Sequence, residues 1–122
     1  MTIASAIEYY DKLRPNGIPQ EVKLRALSEL DVRVNRDVLM PRGMGRADFA
    51  GYDCDADMDT VLLVAEPFCD VYFWFLAMKL ARILGETDEY NAALQNYEEY
   101  FIGYADHLNK DHPCRPTPLR LV

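Results

Sequence analysis

Between Phe68 and Leu84 the chain is apolar on nearly every side of a helical wheel. Phe68, Val71, Tyr72, Phe73, Trp74, Phe75, Leu76, Leu80, Ile83 and Leu84 are interrupted only by Asp70, Lys79 and Arg82. A helix of this pattern has no face to give to water. It must be central, contacted on several sides or covered by a neighbouring subunit. Gly85 suits a left-handed stop at its end.

Three amphipathic segments surround it. Thr2 can cap a short helix in which Ile3, Ile7 and Tyr10 repeat at helical spacing, and Arg14-Pro15-Asn16-Gly17 stops it. A second helix is predicted from Pro19, with Gln20 and Glu21 in its first turn, ending before Pro41. Its stripe is Lys23 (through its aliphatic stem), Leu27, Leu30, Val34 and Val38, widened by Leu24 and Ala26. The opposite, solvated face is expected to carry Glu21, Arg25, Asp31, Asn35 and Arg36. Thr87 should cap a fourth helix along which Tyr90, Ala93, Leu94, Tyr97, Phe101, Tyr104 and Leu108 follow the 3.6-residue period. The prediction is an all-α, four-helix bundle-like domain over 1–112. A chain of 122 residues is long enough to bury such a core without metal or disulfide staples.

Two stretches lack periodicity. Residues 41–60 hold Gly43, Gly45 and Gly51, then Asp53, Asp55, Asp57 and Asp59 at every second position. A connection this long is uncommon in a compact domain and is expected to be functional or mobile. Val61-Leu62-Leu63-Val64 reads as one short buried extended segment closed by Pro67. After His112 come Pro113, Pro116 and Pro118, so residues 113–122 read as an extended arm, either a disordered tail or a docking strand.

Charge narrows the function classes. Twenty acids against thirteen bases leave a formal net charge of −7, which argues against a general nucleic-acid binder. The N-terminal residues lack the basic and apolar regions of a signal peptide, and the longest uncharged apolar run, Val71 to Met78, is far short of the ~20 residues of a membrane span. A soluble protein retained in the cell that makes it is expected. Cys54, Cys69 and Cys114 form no CxxC and neither histidine completes a zinc spacing, so they read as reduced structural thiols.

Catalytic and ligand motifs are weak. Asp55, Asp57, Asp59 and Glu66 fall at positions 1, 3, 5 and 12 of a calcium-loop count, but Thr60 stands where that loop needs glycine, so a solvated acidic loop is the better reading. Gly43-Met44-Gly45 is a fragment of a phosphate loop, with Asp48 in place of a third glycine; the flanking Arg42 and Arg46 could still bind an anion or a partner's carboxylate. Ser5 and Ser28, the only serines, sit on predicted helices outside any nucleophile elbow. His112 and Cys114 lack an orienting third group, and His107 falls near the last turn of the fourth helix. No enzymatic role, metal or cofactor is expected. Tyr100 and Tyr9, off their helices' stripes, are candidates for a subunit interface.

The order of these pieces resembles the small all-α head–tail connector (adaptor, or head-completion) proteins of tailed bacteriophages and prophages. The resemblance lies in Ala6-Ile7-Glu8-Tyr9-Tyr10-Asp11-Lys12-Leu13-Arg14-Pro15-Asn16, in Ile18-Pro19, and in Lys23-Leu24-Arg25-Ala26-Leu27-Ser28-Glu29-Leu30-Asp31. It continues through Asp59-Thr60-Val61-Leu62-Leu63-Val64, Pro67, Asp70-Val71-Tyr72 and the stretch from Gly85-Glu86 to Asn91. The resemblance implies a virion structural protein, made in the bacterial cytoplasm, that forms a homo-oligomeric ring under the portal protein, passes DNA as cargo and meets the next connector or tail protein. On that reading the partner-binding candidates are Arg42, Arg46, Asp53, Asp55, Asp57 and Asp59, with Arg115, Leu119, Arg120, Leu121 and Val122 of the arm. Loop 41–60 and the arm are then expected to order on meeting the portal and neighbouring subunits. The competing reading is a cytosolic acidic regulator or DNA mimic whose aspartate series binds a basic partner. A third, a small-molecule-binding helical domain, requires a concave pocket.

Overall fold

A computed structural model describes residues 1–111. The architecture is all-α, with α1 (Ile3–Leu13), α2 (Gln20–Val34), α3 (Asp70–Leu84) and α4 (Thr87–Asp111). Helix α3 is central: α4 packs along most of it, and α1 and α2 pack on it and on each other. Its side chains from Val71 to Leu80 are buried or half-buried within a single chain, so the apolar segment needs no second subunit to cover it. Only Arg82, Ile83 and Leu84 of its last turn stay exposed, before Gly85 (φ 73°) reverses the chain. This end closes as the left-handed stop requires, with the Glu86 N–H donating to the Ala81 carbonyl at 2.9 Å.

The helix ends follow local chemistry with small shifts. Thr2 caps α1 through a capping box: the Ser5 N–H donates to Thr2 Oγ1 (3.1 Å) and the Thr2 N–H to Ser5 Oγ (2.8 Å). Pro19 stands one place before α2, and Thr87 is already the first residue of α4, whose preceding Glu86 carbonyl accepts from Tyr90. Pro41 does not end the second helix. The chain continues from α2 through a π turn (Asn35–Leu39) into a 3₁₀ turn (Met40–Arg42), which accommodates a residue without an N–H.

Two charged or polar groups given to the solvated face of α2 are in the core: Asp31 is fully buried and Asn35 nearly so. Asp31 lies four residues after Leu27 and three before Val34, on the flank of the apolar stripe, and the long connection folds over that flank. Lys23 buries its ammonium as well as its stem, at 2.7 Å from Asp11, joining α1 to α2.

The connection from Gly43 to Cys69 is irregular yet tied down along its length. Thr2 and Val61 form an isolated antiparallel bridge, and the Thr60 and Met58 carbonyls accept the N–H groups of Ile3 and Ala4 (3.0 and 2.9 Å). Those two amides begin α1 and would otherwise lack partners. Segment 61–64 is not buried throughout: Val61 faces out at 66% exposure, while Leu62 and Val64 point into the core.

Candidate functional site

The connection is held against α2 by three polar side chains on one flank of that helix. Asp31 is the centre. Its Oδ1 accepts the Tyr72 hydroxyl (2.6 Å), and its Oδ2 accepts the Tyr52 hydroxyl (2.5 Å) and the Leu63 N–H (3.1 Å). The Tyr72 oxygen in turn accepts the Val64 N–H at 2.8 Å. One carboxylate thereby joins α2, α3 and two points of the connection. Burial holds the Asp31 carboxyl above the usual carboxylate range, outweighing the opposing pull of its three donors. The same burial, together with the facing carboxylate, pushes both tyrosine hydroxyls upward. Among the described residues Asp31 forms no ion pair and joins no cluster of acids, cysteines or histidines. It is a fastening.

The other two side chains act one turn to either side. Ser28 Oγ accepts the Tyr52 N–H at 2.8 Å. Asn35 grips a single residue twice, donating to the Arg46 carbonyl (2.7 Å) and accepting the Arg46 N–H (2.8 Å). This explains the glycines of the phosphate-loop fragment. A Cβ on Gly45 would stand 2.4 Å from Met40 Cγ and 2.8 Å from both the Met40 nitrogen and Asn35 Oδ1. Gly51 has φ +95°, and a Cβ there would stand 2.2 Å from Ser28 Oγ. Gly43 turns the chain at φ 76°. Gly45 and Gly51 serve close approach of one backbone to another element, and Gly43 serves the turn.

The candidate partner-binding residues are scattered. The terminal nitrogens of the Arg42 guanidinium are engaged inside the molecule. They donate to the Val38 carbonyl (2.6 Å), the Ala105 carbonyl (3.4 Å) and the Asn109 side chain, fastening the 3₁₀ turn to α4. The Arg42 Nε is buried and has no partner among the described residues. Arg46 is exposed, its guanidinium 5.0 Å over the Phe49 ring. Asp53, Asp55, Asp57 and Asp59 are all exposed, while the alternate Tyr52, Ala56, Met58 and Thr60 are drawn inward. Two successive turns produce this alternation: Asp53 accepts the Asp55 N–H (3.1 Å) and Asp57 the Asp59 N–H (3.0 Å). Among the described residues none of the four forms an ion pair, and no three acids, cysteines or histidines converge as metal ligands do. Cys54 is exposed and Cys69 buried, where burial raises its thiol to about 11. His107 lies against Phe68 at 5.0 Å. Arg115, Leu119, Arg120, Leu121 and Val122, with His112 and Cys114, lie outside the described residues.

Sequence reasoning missed a cleft of about 730 Å³ between α2 and α4, floored by α3. Phe75, Met78, Leu94, Tyr97, Phe101 and Ile102 give it an apolar lining. Arg33 bridges the two walls, donating to the Tyr97 hydroxyl (2.8 Å) with its guanidinium 4.6 Å over the Phe101 ring. Arg33 meets Tyr97 and Phe101 while Arg42 meets Ala105 and Asn109, so α2 and α4 run in the same direction on either side of α3. Burial pushes the Tyr97 hydroxyl upward against the lowering influence of Arg33. The only sequence signal for the cleft was Ile102, an apolar residue off the stripe of α4 that is 59% exposed. Of the two off-stripe tyrosines, Tyr9 is exposed and Tyr100 half-buried. No described helix is both long and apolar enough to cross a membrane.

Comparison with known proteins finds no matching family model, no matching curated protein and no matching solved structure.

Proposed function

We propose that this chain is a structural part without chemistry of its own, a head–tail connector subunit that joins others of its kind in a ring under a phage portal. The observation that carries this reading is the division between a core closed within one chain and apolar side chains left outside it. Leu13, Ile83 and Leu84 are more than half exposed, where α1 stops and α3 turns into α4. Arg14 joins the two there, within 2.7 Å of Glu89 and 5.8 Å over the Trp74 ring. Exposed apolar groups set among tyrosine, tryptophan and arginine have the composition of a protein–protein contact. The sequence resemblance, which covers most of residues 6–108, supplies the class of assembly, and the acidic balance suits a channel wall past which DNA must slide.

Loop 41–60 belongs to the folded subunit in this account. Its hydrogen bonds to α1 and α2 are made within one chain, so assembly adds contacts to a surface that already exists. Arg46 and the four aspartates are available on it as contact residues.

The exposed aspartates, none of them ion-paired among the described residues, favour a second reading, an acidic regulator of a protein with a basic groove. Mass spectrometry of particles purified after inducing the source strain separates the two. The connector reading expects about a dozen copies per portal ring. Intact particles lacking the protein while the lysate holds it in quantity overturn that reading; salt-sensitive binding to a nucleic-acid enzyme, displaced by DNA, would then establish the regulator.

A further inference from the structure

We propose that Asn16 is a site of spontaneous deamidation, attacked by the Gly17 backbone nitrogen, and that the carboxylate it leaves loosens the turn between α1 and α2. The Gly17 nitrogen bonds to Asn16 Cγ and gives up its proton, the Cγ–Nδ2 bond breaks, and ammonia leaves. Solvent water then opens the cyclic imide at either carbonyl, giving an aspartyl or an isoaspartyl link. Nothing is oxidised or reduced, and water is the only reagent consumed.

Placement selects Asn16 among the five asparagines of the chain. Asn91, Asn96 and Asn109 lie within α4, where the N–H that follows each is held by the helix's own carbonyls. Asn35 is nearly buried and grips Arg46. Asn16 and Gly17 are both exposed, in the irregular link between Leu13 and Gln20. Attack needs the following nitrogen to swing toward the side chain, and a glycine gives it the most freedom to do so. Gly17 is the only residue of this kind after an asparagine, and a Cβ built on it meets nothing within 4 Å. Its N–H has no acceptor among the described residues, so no hydrogen bond holds the nucleophile away.

The same geometry defines what the product does. Asn16 Nδ2 donates to Asp11 Oδ1 (3.1 Å) and to the Arg14 carbonyl (2.8 Å), while Asn16 Oδ1 accepts the Ile18 N–H (3.0 Å). A carboxylate cannot make the two donations, so two acceptors are left facing a third. The Asp11 carboxylate, which already holds the Lys23 ammonium at 2.7 Å, then faces a like charge. An isoaspartyl link also lengthens the main chain by one methylene just before Pro19 and α2. The change falls beside Leu13 and Arg14, so fresh and aged chains differ at that end of α1. This inference stands apart from the connector reading and survives its failure.

The test follows the full chain, incubated at neutral pH and physiological temperature, by mass-spectrometric peptide mapping with isoaspartate detection. Asn16 should convert ahead of the other asparagines. Gly17→Ala, in which a methyl hinders the approaching nitrogen, should convert at least about tenfold more slowly. Asn16→Asp, which reproduces the aspartyl product, should lower the urea midpoint at low ionic strength, and the gap should narrow as salt screens the repulsion. Asn16 still intact in the folded chain once the urea-unfolded chain has converted overturns the proposal. So do equal rates in Gly17→Ala and the wild type, or an unchanged midpoint in Asn16→Asp.

Discussion

The two flanks of α2 meet their neighbours by different physics. On one, Ser28, Asp31 and Asn35 hold an aperiodic connection through a handful of directional hydrogen bonds, most of them buried or half-buried. On the other, α4 is held mainly by a broad apolar contact with α3; α2 touches it through Arg33 across an open cleft, and the 3₁₀ turn touches it through Arg42. A segment without a hydrophobic stripe takes its position from a few groups that are costly to leave unpaired. A periodic helix spreads its attachment over many contacts, each small. Substitutions on the two flanks should therefore differ in kind as well as in size.

The largest effect is expected from Asp31→Ala, which leaves the Tyr52 and Tyr72 hydroxyls and the Leu63 N–H without their acceptor. Relief of a buried charge offsets part of this, and a net loss of about 3 kcal/mol is predicted. Urea denaturation measures it, and a loss under about 1 kcal/mol would erase the contrast between the flanks. Next comes Gly45→Ala, expected to cost about 1–3 kcal/mol because the added methyl meets Met40 backbone and Asn35. Gly17→Ala, with nothing within 4 Å, is the control and should be neutral or slightly stabilising.

A finer distinction comes from pH. The Asp31 carboxyl is held above its unfolded value, so the folded state takes up a proton there more readily than the unfolded chain. Its contribution to stability is full below the unfolded value of about 4 and is lost as pH rises through the folded value. Asp31→Asn removes that slope while leaving the Leu63 N–H facing an amide. The variant's deficit should accordingly be largest in acid and shrink as pH rises. A deficit that grows with pH contradicts the assignment. On the cleft side, Arg33→Ala should cost only about 1 kcal/mol, the scale of one partly exposed hydrogen bond and one cation–π contact. A cost equal to that of Asp31→Ala would make the cleft as point-fastened as the opposite flank.

The sequence carried the helices well and the fastenings poorly, for one reason. The stripes of α1, α2 and α4 and the all-round apolar α3 are local patterns, read at three- and four-residue spacing. The hydrogen bonds of Asp31 join it to Tyr52, Leu63 and Tyr72, and no local pattern announces such partners. A charge among apolar residues was read as solvated when its place between Leu27 and Val34 put it at the edge of the buried stripe. The acceptors of Arg42 on α4 were equally out of sight, lying more than sixty residues away. The aspartate alternation was read as a solvated acidic loop, and all four side chains are exposed. The cleft left no more than Ile102, off the stripe of α4, as a trace in the sequence, because it arises between elements.

The central claim is that the connection between the second and third helices is part of the folded subunit before it meets any partner. Amide hydrogen exchange on the isolated wild-type chain tests this most directly, at Arg46, Tyr52, Leu63 and Val64. The account predicts protection at all four, and its loss at Tyr52, Leu63 and Val64 in Asp31→Ala while the α3 amides stay protected. Exchange of those four amides at the rate of an unstructured chain, beside a protected α3, would contradict it.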